Sequence, residues 1–528
     1  MFVLINASPQ NTMRMFEPFI PSGIPIGLAS LYAVLRRHNK ETCLFDEQII
    51  GDSLKPIRRQ FPDSTQKLVF GISVLTASYH RSLDLATALK SCYPQCLVVF
   101  GGPHPSALPE DVLQNQQVDI IAEGEMEDHI VALHTALAEG TSLDAIPNIY
   151  YRSGGKIVQT QKNRDRVDLN TLPPLPYELF TDPRYNLGVV VSSRGCPYGC
   201  IFCSNRVVID ARYRFKKAVL IADEIELLYR KYNQRQMVFA DDNLLVIKER
   251  VHELLHELRQ RDLVGRIEFS FQGRADNTDE ALLKALFEHG FKHIAFGMET
   301  GSERVMQVIN KKETVQECYE AVQLARRVGF HVTATFMMGL PTETHAERMQ
   351  SVRHAIKSGL NKARFNNATP YPGTKLFEMA KADGGLRIVG CHDNFLTVST
   401  IVESPWSPIT LSYVPPGMTE RELKNDILFG YLCMNFNIHK IREFLTRGKP
   451  GGKSSSSAPA QKNWRQRAIH LNQVVLLTAM LTVKFTSLIF HFLLRRDCAV
   501  TWKDLSLLWV KPDAIVPPLH NMKEKSNP

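Results

Sequence analysis

The chain has little of what export or a membrane span requires. Residues 1–8 read MFVLINAS, with no basic segment and an apolar run too short for a secretory leader. A first buried strand is expected there, and a cytoplasmic location for the chain. Residues 468–494 are strongly apolar, but Lys484 and His491 interrupt them, where a spanning helix needs about 20 apolar residues with few charges. Over most of its length the chain also lacks an excess of either charge. The formal net charge is +9, and residues 447–528, with 13 Lys/Arg against 4 Asp/Glu, carry all of it. A nucleic-acid enzyme would spread basic surface around its site. A basic tail suits a partner or an anionic membrane surface, or simply aids solubility. Gly (30) and Pro (29) are near average, apolar residues make up 44% and charged residues 22%. This excludes a collagen, a disordered chain and a polytopic membrane protein. The 528 residues suit about three domains or slightly more.

Residues 1–147 alternate short apolar runs (2–5, 68–74, 97–100, 120–122) with helical stretches such as 26–37 and 81–90. That pattern predicts a Rossmann-like parallel sheet covered on both faces. Residues 148–184 read as a hairpin with a Ser-Gly-Gly turn and a linker rich in proline. From 185 to 380, strands are expected at 189–192, 237–240, 267–271, 293–297, 331–339 and 362–369, with helices between them. Six βα units fit a partial (β/α)6 barrel, whose chemistry lies at strand ends. Residues 381–447 form an extension of unclear pattern. Residues 448–461 (GKPGGKSSSSAPAQ) read as a flexible linker, and residues 462–528 as a mainly helical basic and apolar tail. In that tail Thr478, Thr482 and Thr486 form one polar stripe. A helix in the membrane interface, a helix docked on the body, or a true span remain open.

Of ten cysteines, Cys196, Cys200 and Cys203 fall together, spaced C-x3-C-x2-C, directly after the first expected barrel strand. In a reducing compartment such a cluster means metal before disulfide. Three thiolates on one loop can hold three irons of a cubane and leave the fourth open for a substrate or cofactor. Gly195 and Gly199 let the loop wrap closely. Zinc would want a fourth ligand nearby, and no Cys or His follows within twenty residues.

This loop, with Phe202 in its aromatic position, resembles the signature of the radical S-adenosylmethionine family. The resemblance implies that the open iron chelates the amino and carboxylate groups of S-adenosylmethionine, whose reductive cleavage gives a deoxyadenosyl radical. Later strand ends match in order. It implies Asp241, or less directly Asp242, on the methionine amine, Arg274 on its carboxylate, Glu299 in Gly297-Met298-Glu299-Thr300-Gly301-Ser302 on the ribose hydroxyls, and Phe202 against adenine. In the first domain, Ser73, Leu75 and Thr76 after one strand, Gly101 and Gly102 after the next, and Gly124 after a third resemble the turns of cobalamin-binding domains. A His ligand to cobalt is not expected, because the first loop (Ala7, Ser8, Pro9, Gln10, Asn11, Thr12) offers none.

Residues 1–376 thus resemble the cobalamin-dependent, class B, radical S-adenosylmethionine enzymes, in the layout of the anaerobic magnesium-protoporphyrin cyclases and hopanoid methylases. The implied function is methylation of an unactivated carbon of a small or lipid-like substrate. The cofactors would be a [4Fe-4S] cluster, S-adenosylmethionine and cobalamin, with electrons from a flavodoxin or ferredoxin. No residue is singled out as catalytic, and no nucleic acid is expected. The alternatives are a radical cyclase or rearranging enzyme with the same cofactors, a methylthiotransferase, or a non-enzymatic iron–sulfur protein. The methylthiotransferase would need a second cysteine cluster that Cys43, Cys92 and Cys96 do not offer. The tail leaves membrane contact as a further expectation.

Overall fold

A computed structural model describes residues 1–8, 22–163, 165–209, 212–396, 408–439, 442, 482–494 and 498–514. The expected linker at 448–461, residues 9–12 of the first loop, and the first part of the 468–494 segment lie outside the described residues.

The N-terminal sheet contains β1 (Phe2–Asn6), β2 (Thr42–Asp46), β3 (Val69–Ser73), β4 (Leu97–Gly101), β5 (Ile120–Ala122), β6 (Ile149–Ser153) and β7 (Lys156–Gln159). Its order is β2-β1-β3-β4-β5-β6-β7. The first five strands are parallel, and the hairpin β6–β7 adds to their edge antiparallel. The hairpin is therefore part of this sheet rather than of the linker. Alternation explains why both faces are covered. Val3, Ile5, Phe70, Ile72, Val98 and Phe100 enter one apolar core, while Phe2, Leu4, Val69, Val99 and Ile120 enter the other. The edge strand β2 shows no continuous apolar run, and its middle residues are only half-buried.

The second sheet runs β8 (Val189–Val190), β9 (Gln236–Phe239), β10 (Glu268–Gly273), β11 (Phe291–Glu299), β12 (His331–Met338) and β13 (Lys362–Asn367), all parallel and in sequence order. Helices follow each strand from β9 onward. Phe239, Phe269 and Phe291 stack beneath them, the last two with ring centroids 4.7 Å apart. The sheet ends at β13 rather than closing back on β8. The extension then supplies helix Glu420–Asn435, started by a Thr419–Glu422 capping box. It lies so close to β13 that a Cβ on Gly430 would stand 3.1 Å from the Phe365 ring. Asp426 of this helix binds Arg348 (2.6 Å) and His345 (2.9 Å) of the helix before β13, and His345 also meets Asp504 (3.1 Å). The extension is thus welded to the barrel by buried charge. Helix 482–494 lays Lys484 and Leu488 against the body. Among the described residues no helix is long and apolar enough to cross a membrane.

Candidate cofactor sites

Strand β8 is only two residues long, and the chain leaves it through Ser192 and Ser193 into the cysteine loop. Asp241, just past β9, fixes that exit. Its Oδ1 accepts from the Ser192 and Ser193 amides at 2.7 and 2.9 Å; its Oδ2 accepts from the Ser192 hydroxyl and from Arg250 at 3.4 Å. A carboxylate has about four acceptor sites, so those of Asp241 are filled from within the protein. Asp241, expected on the methionine amine, thus braces the exit of β8 in this structure. Asp242 faces the other way. It accepts from Asn205 Nδ2 and lines a cavity, and burial pushes its carboxyl above the ordinary range against that hydrogen bond.

The cysteine loop hangs from two distant turns. Ile201 N donates to Ile309 O (3.1 Å), Asn310 Nδ2 to Gly199 O (2.8 Å), and Leu376 N to Ile201 O (2.9 Å). Gly195 takes φ +88°, a conformation that favours glycine. Cys196, Cys200 and Cys203 are half-buried free thiols. Phe202 packs on the barrel core beside them. Burial raises all three thiols, Cys203 to about 11. Two cations oppose that at Cys196 and Cys200: Lys311 and Arg274.

The arrangement around these cations was not legible in the sequence. Lys311 is 5% exposed, 3.4 Å from Glu299 Oε1 and 3.5 Å from Glu313 Oε2. Burial favours its neutral form, but the two carboxylates outweigh that and hold it charged. Arg274 grips Asp276 (3.0 and 2.9 Å), donates to Lys311 O (2.8 Å), and lies 3.6 Å from the centre of the Tyr198 ring. Glu299 sits at φ +64°. A Cβ on Gly297 would fall 2.5 Å from its Oε1, so the glycine of that motif makes room for the acid.

Ser302 ends the same motif and donates to Glu347 Oε1 at 2.8 Å, as does Arg304 at 2.9 Å. The Arg304 hydrogen bond is the largest of the effects that hold Glu347 down to about 2. A carboxyl held below its unfolded value stabilises fully above that value and loses its effect as pH falls through the folded one. Glu347→Gln is expected to lower stability at neutral pH by about 1 kcal/mol, since Arg304 is exposed and the pair is screened. That gap should close toward pH 2, read as the difference in urea midpoint between the two proteins.

The second site is a cavity of about 330 Å³ at the carboxyl ends of β3–β5. Ser73, Gly101, Gly102 and Gly124 line it, and Ser193, Arg194 and Asp242 close it from the barrel side. Gly102 (φ +99°) has no space for a side chain, since a Cβ would stand 3.0 Å from Val74 O. Leu75 and Thr76 lie outside the lining. Leu75 is 50% exposed, and Thr76 is buried against His104 Nδ1 at 3.4 Å. The His104 ring packs 4.1 Å from that of Tyr79, and burial drives its pKa down to about 3. It is an interior histidine, not a ligand reaching into the cavity.

The residues present fit the groups expected of them. Among the described residues no three ligating side chains close on a single ion, as zinc would require. A cubane holds its thiolates further apart, and buried cations beside Cys196 and Cys200 suit its negative charge. The glycine-lined apolar cavity suits a bulky aromatic tail.

Known proteins agree with this layout. The radical SAM superfamily model matches residues 190–355 and the B12-binding domain model residues 21–134. An uncharacterised methyltransferase of Pyrococcus horikoshii is 29% identical over 371 residues, covering 69% of this chain and 79% of the relative. The anaerobic magnesium-protoporphyrin IX monomethyl ester cyclase of Rubrivivax gelatinosus is 26% identical, covering 67% of this chain and 66% of the relative. The solved structure of the radical S-adenosylmethionine methyltransferase TsrM from Kitasatospora setae, with cobalamin and a [4Fe-4S] cluster, shares the fold. Its TM-score is 0.61 at 18% identity, over 74% of this chain and 76% of that one. A radical SAM domain behind a B12-binding domain, with the cysteine loop and the glycine cavity each in place, gives this chain the layout of the cobalamin-dependent radical S-adenosylmethionine enzymes.

Proposed function

We propose that this chain methylates an unactivated carbon of a small or lipid-like molecule. The observation that carries this reading is the shared wall: residues flanking the cysteine loop (Ser193, Arg194, Asp242) close the cavity of the B12-binding domain. When bound, the cluster and S-adenosylmethionine supply a radical that removes hydrogen, and cobalamin supplies a methyl group for a carbon that is no nucleophile. The chain's own residues bind, orient and exclude water. Cys196, Cys200 and Cys203 would hold three irons. Asp242 is the carboxylate offered to the methionine ammonium, Arg274 the cation for its carboxylate, Glu299 the acceptor for the ribose hydroxyls, and Phe202 the face for adenine. Lys311 would keep positive charge behind the cluster. Ser73, Gly101, Gly102 and Gly124 would admit the cobalamin tail, with Leu75 and Thr76 on the turn above.

Gly101 gives a direct test of the cavity. A Cβ there meets only Ala122, at 3.7 Å or more, so a side chain can start there without a clash and take up cavity space. Gly101→Val is expected to weaken hydroxocobalamin binding by about tenfold or more, the scale of a misfit methylene in a pocket, with iron content unchanged.

The relatives include a cyclase, so a radical cyclase is the second reading. Reconstituted protein, reductant and deuteromethyl S-adenosylmethionine, given a lipid and tetrapyrrole extract, should yield a product carrying the deuterated methyl. An unlabelled product with an altered hydrogen count would favour the cyclase. A methylthiotransferase is disfavoured because Cys96 lies in the apolar core of the first sheet and Cys43 and Cys92 pack against that core, which suits structural thiols.

The proposal places the chain in the cytoplasm, fed by a flavodoxin or ferredoxin and touching the membrane surface through its tail. Helix 482–494 turns Ile489, Phe490, Leu493 and Leu494 outward, with Trp502 and Trp509 also exposed, a face suited to the interface. Phe490→Glu combined with Leu493→Glu should cut flotation with anionic vesicles by about tenfold; unchanged flotation would remove membrane contact from the account.

A further inference from the structure

Two arginines stand side by side just ahead of the cysteine loop. Ser193–Arg194 pairs antiparallel with Arg214–Phe215, and the register sets Arg194 directly opposite Arg214. Like charges in that position repel, and here both side chains are mostly buried, at 14% and 15% exposure. The acids that neutralise them come from the other domain. Arg194 reaches Glu125 Oε1 through one terminal nitrogen and Glu127 Oε1 through the other, both at 2.8 Å, while Arg214 lies 2.8 Å from Glu125 Oε2. Glu127 also accepts from Ser30 Oγ at 2.9 Å, on helix Ile26–Arg37. The turn after β5 thus neutralises both arginines of the ribbon, and Arg214 also donates to Val167 O at 2.8 Å.

Position makes this more than a domain contact. Glu125 follows Gly124, Arg194 precedes Gly195 and Cys196, and Gly124, Glu125, Glu127, Ser193 and Arg194 all line the cavity. One compact network of two arginines and two glutamates is at once the cavity wall and the stem of the cysteine loop.

We propose that the Arg194–Glu125–Glu127–Arg214 network is a positioning device that sets the distance and angle between the cobalamin cavity and the cysteine loop. It rests on the cofactor reading above. The network both lines the cavity and anchors the stem of the cysteine loop, so what it adds beyond either site is register between them. Register matters most for transfer between the two cofactors, where a misplacement of about 1 Å costs about a hundredfold in rate.

Arg194→Lys keeps the charge but loses the fork that reaches both acids. The first measurement needs no cofactor. Hydrogen exchange of the full chain should quicken by about tenfold in residues 122–128 and 192–203 together. The second uses protein reconstituted with iron, sulfide and hydroxocobalamin, reduced by titanium(III) citrate and given S-adenosylmethionine without substrate. Reductive cleavage of the sulfonium, with two electrons from titanium and a proton from water, gives 5′-deoxyadenosine and methionine. Attack of two-electron-reduced cobalt on the sulfonium methyl forms the cobalt–carbon bond and releases S-adenosylhomocysteine. In the variant, with hydroxocobalamin at saturation, iron content and deoxyadenosine should stay within about twofold, while S-adenosylhomocysteine falls by about tenfold or more. Glu127→Asp, milder for folding, should give the same split in smaller measure. Exchange that rises in one segment alone, or two products that fall in step, would overturn the positioning role. A wild-type protein that forms neither product would overturn the cofactor reading, and the positioning role with it.

Discussion

A protein with serine at Cys196, Cys200 and Cys203 together is expected to take up less than about a tenth of the wild-type iron on anaerobic reconstitution, and to form no 5′-deoxyadenosine. Serine is nearly isosteric, but its oxygen is a hard ligand where iron–sulfide clusters are held by soft thiolate. The loop itself should survive the change. Its shape is held by the Ile201–Ile309, Gly199–Asn310 and Ile201–Leu376 hydrogen bonds, none of which uses a cysteine side chain, and the three thiols are only half-buried. Far-ultraviolet circular dichroism and the urea midpoint should therefore match the wild type. Loss of iron without loss of fold would assign the three sulfurs to the metal. Iron loss accompanied by unfolding would instead make them structural.

The second large effect falls on stability and separates two adjacent acids. Asp241→Ala should cost about 3–5 kcal/mol, because it leaves the 3%-exposed Arg250 as an uncompensated buried charge. It also strips the Ser192 and Ser193 amides of their acceptor, so cluster uptake should fall alongside. Arg250 keeps Tyr213 OH at 2.6 Å and the Phe215 ring, which cannot replace a carboxylate. Asp242→Asn should change the unfolding free energy by less than about 1 kcal/mol, since Asp242 has Asn205 as a partner and faces the cavity. Its effect should appear as weaker S-adenosylmethionine binding at full iron content. If Asp242→Asn destabilised the protein and Asp241→Ala did not, the division of labour drawn here would be reversed.

The sequence made the architecture legible wherever one physical rule dominated. Continuous β-branched runs located β1, β3, β4 and β5, and every barrel strand fell within two or three residues of its expected place. Strand β2 escaped because an edge strand need not be apolar throughout, and half-buried Cys43, Leu44 and Phe45 left no clear run. Cys196, Cys200 and Cys203 were legible because their spacing lies within one loop. What escaped was chemistry assembled across the fold. Lys311 reaches the cysteine loop from more than a hundred residues away in the chain, with Glu313 beside it, and no local pattern marks them. Arg194 and Glu125 are visible singly, but only tertiary structure sets the one against the other. Asp241 and Asp242 are neighbours that point apart, and residue type alone cannot tell which one the strand end turns inward.

The central claim is that three cysteine sulfurs hold a four-iron cluster with one iron reserved for S-adenosylmethionine. Mössbauer spectroscopy of the anaerobically reconstituted full chain, recorded with and without S-adenosylmethionine, tests it most directly. About four irons per chain are expected, and on addition of S-adenosylmethionine about one quarter of the signal should shift to that of a higher-coordinate iron. A spectrum that S-adenosylmethionine leaves unchanged, with all irons equivalent, would contradict the account.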